Sequence, residues 1–312
     1  MFFNRSIPPF AARSRPASAC PDTGVSFGRI LALMLALCQM STSLAQPEPR
    51  AFSLPRTQIV EISDPVGERD YRLFIQTPVD YEESTEQEFP IIYITDATYN
   101  LPMIEGFVRV ASNSDAIEQV ILVGVSSERG RTFRESRILD YTPVVDDEWL
   151  SPTGGADAFL DFVRSAVFGY VETNYRADGD NRTYVGYSLG GLLGAYALLA
   201  HPEMFRNYVL VSPSLYYRDN YVLKTLESGE VSLPGSLTRV YLSAGEYETP
   251  EHSDIRNDLV ADAERFSERL NGINHPMLEV RMQVVEDAVH STAFPEPMAR
   301  ALHWMLKTDA SR

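Results

Sequence analysis

Two nearly unbroken apolar runs, Phe89–Thr95 (FPIIYIT) and Val120–Val125 (VILVGV), constrain this chain most. Each is short enough for a strand and apolar at successive positions, so both faces of that strand must be covered. This happens inside a largely parallel sheet with helices on either side. The rest of the chain fits that frame. Ser53–Asp64 and Tyr71–Thr77 alternate apolar and polar residues around Pro65-Val-Gly-Glu, the pattern of an antiparallel hairpin. Further strands are expected at Thr183–Tyr187, Tyr208–Ser212, Val240–Ala244 and Leu278–Val285. Helices are expected at Leu101–Ala111, Ala156–Tyr175, Gly190–Ala200, Asp254–Leu270 and Pro295–Lys307. In the long amphipathic stretch, Phe159, Phe162, Val163, Val167 and Val171 share one face. Repeated strand–helix alternation after a hairpin implies an α/β fold with a mostly parallel central sheet. Ser126–Gly155 is the longest stretch without clear periodicity, and it is the candidate substrate-shaping loop.

The first 45 residues read differently. Arg5, Arg13, Arg15 and Arg29 precede an apolar run, Ile30–Leu37, and a small-residue stretch ending Ser43-Leu-Ala45. That order is expected of a secretory signal, and the run is too short to span a bilayer. The expectation is a leader over residues 1–45 and one catalytic domain over 46–312, exported to the periplasm or outside the cell, without stable membrane insertion. Both cysteines, Cys20 and Cys38, fall in the leader, so the domain is expected to hold together by packing alone. The formal charge of -16 argues against a nucleic-acid partner.

Gly186-Tyr-Ser188-Leu-Gly190 supplies the chemistry. The G-x-S-x-G pattern is common by itself, but here it follows a strand and opens a helix, where it has a mechanism. A sharp turn lifts the serine oxygen above the sheet edge, and the flanking glycines relieve the clash. The Leu189 N–H at the helix start can then donate to a developing oxyanion. An α/β-hydrolase fold with Ser188 as nucleophile is therefore expected.

Such a serine needs an imidazole to take its proton and a carboxylate to orient the imidazole, in chain order Ser, acid, His. Of five histidines, only His290 falls in the loop directly after the last strand, at the edge bearing Ser188; His303 falls on the last helix. The acid should follow Val240–Ala244, where Glu246, Glu248 and Asp254 compete. Glu248 is the choice because its distance past Gly245 lets it reach His290. No H-E-x-x-H is present, and neither a metal nor a cofactor is expected.

From about Tyr71 to Trp304 the chain also resembles the putative esterase family, which includes esterase D-like enzymes, enterobactin and salmochelin esterases and mycolyltransferases. The resemblance rests on Arg137-Ile-Leu-Asp140-Tyr-Thr-Pro143, Gly154–Phe162, Gly186–Leu192, Pro202–Phe205 and Ser212-Pro-Ser-Leu-Tyr216 taken in order. It lies nearest the siderophore-esterase branch. It implies a serine esterase with Ser188 and His290, and it supports Glu248. It also implies a second oxyanion donor after Ile91–Thr95. That loop reads Asp96-Ala97-Thr98 here where relatives commonly have Asp-Gly, and the N–H of Thr98 is the expected donor. Arg137 either binds an anionic part of the substrate or pairs with Asp140 to pin its loop. Tyr99 and Tyr187 are expected to flank the cleft. The partner is a small-molecule ester, a siderophore-type lactone or another acyl ester. An acyltransferase with the same triad, or a binding protein on a hydrolase fold, is the alternative.

Overall fold

A computed structural model describes residues 51–308 except 230, 231, 233 and 253–256. The leader read at residues 1–45, with Cys20 and Cys38, lies outside the described residues. The chain divides into two units, Met1–Phe52 and Ser53–Arg312; the second holds the sheet and its helices.

Eight strands form one sheet: β1 (Thr57–Asp64), β2 (Arg69–Gln76), β3 (Phe89–Ile94), β4 (Ile121–Val125), β5 (Ala177–Tyr187), β6 (Asn207–Val211), β7 (Thr238–Gly245) and β8 (Leu278–Val285). Their order is β1-β2-β4-β3-β5-β6-β7-β8. The β1–β2 and β2–β4 pairs are antiparallel and the remaining neighbours run parallel. This is the expected hairpin followed by a parallel sheet. Every residue of β3, β4 and β6 is buried, as the unbroken apolar runs require.

Helices cover both faces. On one side lie α1 (Ala97–Asn113) and α8 (Pro295–Leu306), which pack Leu101, Ile104, Met298 and Leu302 against Ile92, Ile94 and Val209. The other side carries α2 (Phe133–Asp140), α3 (Ala156–Phe162), α4 (Gly169–Asn174), α5 (Leu189–Ala200), α6 (Tyr217–Ser228) and α7 (Leu259–Gly272). Between α3 and α4 the backbone takes a π-helical course over Val163–Phe168. The five residues expected on one face of this stretch are all buried, so the wider turn keeps that face on the core.

Two helices were not anticipated. One is α6, and the other is α2, inside the segment expected to be a loop. α2 starts at a capping box, in which the Thr132 hydroxyl accepts from the Glu135 N–H and the Glu135 carboxylate accepts from the Thr132 N–H. Asp140, 1% exposed, ties its far end to β2 by accepting from Arg69 at 2.5 Å and Tyr71 Oη at 3.1 Å, and it also accepts from Ser136 Oγ of its own helix at 2.9 Å. α2 is thereby fixed beside the carboxyl ends of β3 and β5. The chain leaves β3 for β4 and returns on the other side as β5, so these two ends bound a topological switch point, where open α/β sheets form their clefts.

Candidate active site

β5 runs into Ser188, whose backbone sits at φ 61°, ψ −118° before α5 begins. Non-glycine residues rarely adopt positive φ, and this one is held by its surroundings. The Ser188 N–H donates to the Val211 carbonyl at 3.0 Å, while its own carbonyl accepts from Leu192 and Ser214 N–H groups. The flanking glycines are forced by space. A Cβ on Gly186 would lie 2.3 Å from the Gly190 carbonyl oxygen, and one on Gly190 would lie 2.5 Å from Thr95 Oγ1. The elbow and the exit of β3 are therefore in close contact.

A serine preceding a helix ordinarily caps it, accepting from the first turn. Ser188 does not; its Oγ lies 3.4 Å from Ser214 Oγ and faces a cavity of about 390 Å³. His290 lines the same cavity. Its Nδ1 is hydrogen-bonded to Glu248 Oε1, and its ring stacks on Tyr187 with centroids 4.8 Å apart. The Tyr187 hydroxyl donates to the His290 carbonyl. Tyr187 thus flanks the cleft as expected and also holds the histidine loop.

Glu248 is completely buried. Its Oε2 accepts from Ser212 Oγ at 2.6 Å and from the Gly245 N–H at 2.5 Å. Burial alone would raise its pKa, but the hydrogen bonds from His290, Ser212 and Gly245 outweigh it and hold the carboxyl below the ordinary glutamate value. The loops after β7 and β8 are laced together, with Glu246 N–H bonded to the Val285 carbonyl and Tyr247 N–H to the Ala288 carbonyl. Glu246 itself turns outward and accepts from the Asp287 N–H at 2.9 Å. Of the three carboxylates considered, Glu248 meets His290; Asp254 lies outside the described residues. Sequence alone did not single out Ser212 as the donor that orients this carboxylate, although the Ser-Pro-Ser stretch containing it carried part of the family resemblance.

The other wall of the cavity comes from the turn between β3 and α1. Asp96 has φ 52°, and Asn100 Nδ2 donates to the Thr95 carbonyl at 2.9 Å. The first N–H groups of a helix lack intrahelical acceptors, so this turn offers those of Ala97 and Thr98. Ala97 stands where the family resemblance implied glycine. Gly124 on β4 makes that possible, since a Cβ there would lie 2.7 Å from the Ala97 Cβ. Tyr99, 62% exposed, lines the cavity and packs on Phe133.

Arg137 corrects one expectation. It does not pair with Asp140, which Arg69 occupies. Its Nε and Nη2 donate to Asp96 Oδ1 at 3.1 Å and Oδ2 at 2.9 Å. Arg137 reaches the cavity wall because α2 is a helix, and Tyr141, one turn further on, accepts from the Asp96 N–H at 3.3 Å.

The arrangement supplies what acyl transfer to a serine requires. There is a hydroxyl on a strained elbow, an imidazole that lines the same cavity and is oriented by a buried carboxylate, and helix N-terminal N–H groups from two turns. Sheet order and elbow together define an α/β-hydrolase of the serine type. The family model described as "Putative esterase" matches residues 65–294. The chain belongs to this family and is a carboxylic ester hydrolase.

Among its relatives, the ferri-bacillibactin esterase BesA of Bacillus subtilis is 27% identical over 275 residues, covering 83% of this chain and 92% of BesA. A siderophore triacetylfusarinine C esterase of Aspergillus fumigatus is 28% identical over 56% of this chain and 61% of its own. The crystal structure of the BES protein from Bacillus cereus superimposes with a TM-score of 0.72 at 23% identity, covering 84% of this chain and all of that one.

Proposed function

We propose that this esterase hydrolyses the ester bonds of a siderophore or a closely similar hydroxy-acid ester through an acyl-enzyme on Ser188. One observation carries the reading: Ser188, spared from capping α5, opens into the same cavity as a histidine held by the buried Glu248. In the first step Ser188 Oγ attacks the ester carbonyl and His290 takes the hydroxyl proton. The carbonyl oxygen becomes an oxyanion facing the N–H of Leu189 and the first turn of α1. Imidazolium then gives the proton to the departing alkoxide, and water repeats the sequence on the acyl-enzyme. The substrate class is supported by two relatives named for siderophore ester cleavage. Tyr99, Phe133, Tyr187 and Phe294 give the cavity aromatic walls against which a flat acyl group can pack. The order of charged, apolar and small residues over residues 1–45 supports export of the enzyme from the cytoplasm.

The test is product analysis. Iron-free and ferric forms of a triscatecholate lactone and of a trihydroxamate ester are incubated with the enzyme and with Ser188→Ala. Released monomer is measured by mass spectrometry. Monomer release by the native enzyme alone is expected. Turnover of simple short-chain esters with no release from either siderophore class would reject the substrate reading.

A further inference from the structure

The turn that opens α1 contains a residue in a conformation it would not hold by itself, and that turn forms one side of the cavity. Asp96 is left-handed at φ 52°, 5% exposed, and its side chain does not cap the helix it precedes. Both carboxylate oxygens are instead taken by one edge of the Arg137 guanidinium. The same Nη2 approaches the Tyr187 carbonyl at 3.5 Å, immediately before Ser188. Arg137 is itself enclosed, with its side chain 18% exposed and its guanidinium over the Phe133 and Tyr141 rings. One cation on α2 is therefore bonded to Asp96, the residue between the end of β3 and α1, and to Tyr187, the last residue of β5. The N–H groups that follow those two points are the candidate oxyanion donors.

We infer that Arg137 is a positioning residue for the oxyanion hole, holding the Asp96 turn against the Ser188 elbow, and is not a receptor for an anionic group of the substrate. This rests on the reading of Ser188 as nucleophile. When Ser188 Oγ bonds to the carbonyl carbon, the carbonyl π pair moves onto oxygen, and the charge appears between the Leu189 N–H and the α1 turn. The donors act only if already aimed at that oxygen, and a misplacement of about 1 Å costs roughly 10²-fold. A planar, bidentate guanidinium fixes a carboxylate in both position and rotation, which an ammonium cannot do. The pairing also spends the charge of Arg137, because Asp96 cancels it at the cavity wall. Without Arg137 the carboxylate would be buried beside an unfilled space, and burial already raises its pKa.

The test compares two chromogenic substrates of similar size, p-nitrophenyl acetate and the p-nitrophenyl monoester of succinate, on Arg137→Met, Arg137→Lys and Asp96→Asn. The positioning role predicts that Arg137→Met lowers kcat by about 10²-fold on both substrates by the same factor, with little change in KM. Asp96→Asn should lower kcat likewise, and the double variant should be no worse than the poorer single variant. Arg137→Lys keeps the charge and should recover only part of the loss; it carries the test if Arg137→Met does not fold. A loss confined to the anionic substrate and expressed in KM, with acetate turnover unchanged, overturns the inference. Ser188→Ala runs alongside. If it retains full turnover, the nucleophile reading fails, an outcome distinct from failure of the clamp.

Discussion

Replacing Glu248 by glutamine changes one atom of the site and should silence it, for a reason the hydrogen bonds dictate. Glu248 Oε2 accepts from two donors, Ser212 Oγ and the Gly245 N–H. In the glutamine variant this position is filled by the amide oxygen, since an NH2 group there would face two donors. The NH2 must then occupy the place of Oε1 and point at His290 Nδ1, which has to accept. That leaves the ring proton on Nε2, the nitrogen that should receive the proton of Ser188. A wrong tautomer of this kind costs roughly 10⁴-fold in kcat in a serine triad, about 5 kcal/mol of transition-state stabilisation. The fold should survive, because the variant keeps the shape and all three hydrogen-bond partners, with only the bond to His290 reversed. Steady-state hydrolysis of p-nitrophenyl acetate by Glu248→Gln, with circular dichroism to verify folding, is the assay. Retention of more than about a tenth of native kcat would refute this reasoning, since a 10⁴-fold loss is expected.

Three further outcomes follow from the same geometry. Gly186→Ala places a methyl 2.3 Å from the Gly190 carbonyl oxygen, a backbone atom, and should destabilise by about 3 kcal/mol while lowering esterase activity; a denaturant midpoint measures it. Arg69→Met leaves Asp140 without its cation at 1% exposure and should cost about 3 kcal/mol, with thermal unfolding as the readout. The Glu248 carboxyl is held below its ordinary 4.5, so its contribution to stability is fully present above that pH and disappears as pH falls through the lower folded value. The stability gap between native enzyme and Glu248→Gln should accordingly narrow on acidification below about pH 4.5, as followed by denaturant melts; a gap that widens would contradict the hydrogen-bond account.

The parts of this molecule legible in its sequence are those fixed by short-range patterns. Unbroken apolar runs announced β3 and β4, alternation announced the hairpin, and the glycines around Ser188 announced the elbow because steric exclusion permits nothing larger there. Chain order then led to His290 and, among three carboxylates, to Glu248. What escaped is set by contacts distant in sequence. α2 buries few of its residues, so its apolar periodicity is weak, and it is fixed by Asp140 meeting Arg69 and Tyr71 some seventy positions earlier. The Arg137–Asp96 pair spans 41 positions, and only the helical form of α2 makes it possible; from sequence, the neighbouring Asp140 looked the nearer partner. The π turn at Val163–Phe168 left no signature, because the same apolar residues satisfy either winding.

The central claim is that Ser188 forms a covalent acyl-enzyme. Incubating the folded enzyme with a fluorophosphonate and mapping the adduct by peptide mass spectrometry tests it most directly. A single adduct on Ser188, formed with loss of ester hydrolysis and absent from Ser188→Ala, is the predicted result. Hydrolysis that persists in Ser188→Ala, or an adduct on another residue, would contradict it.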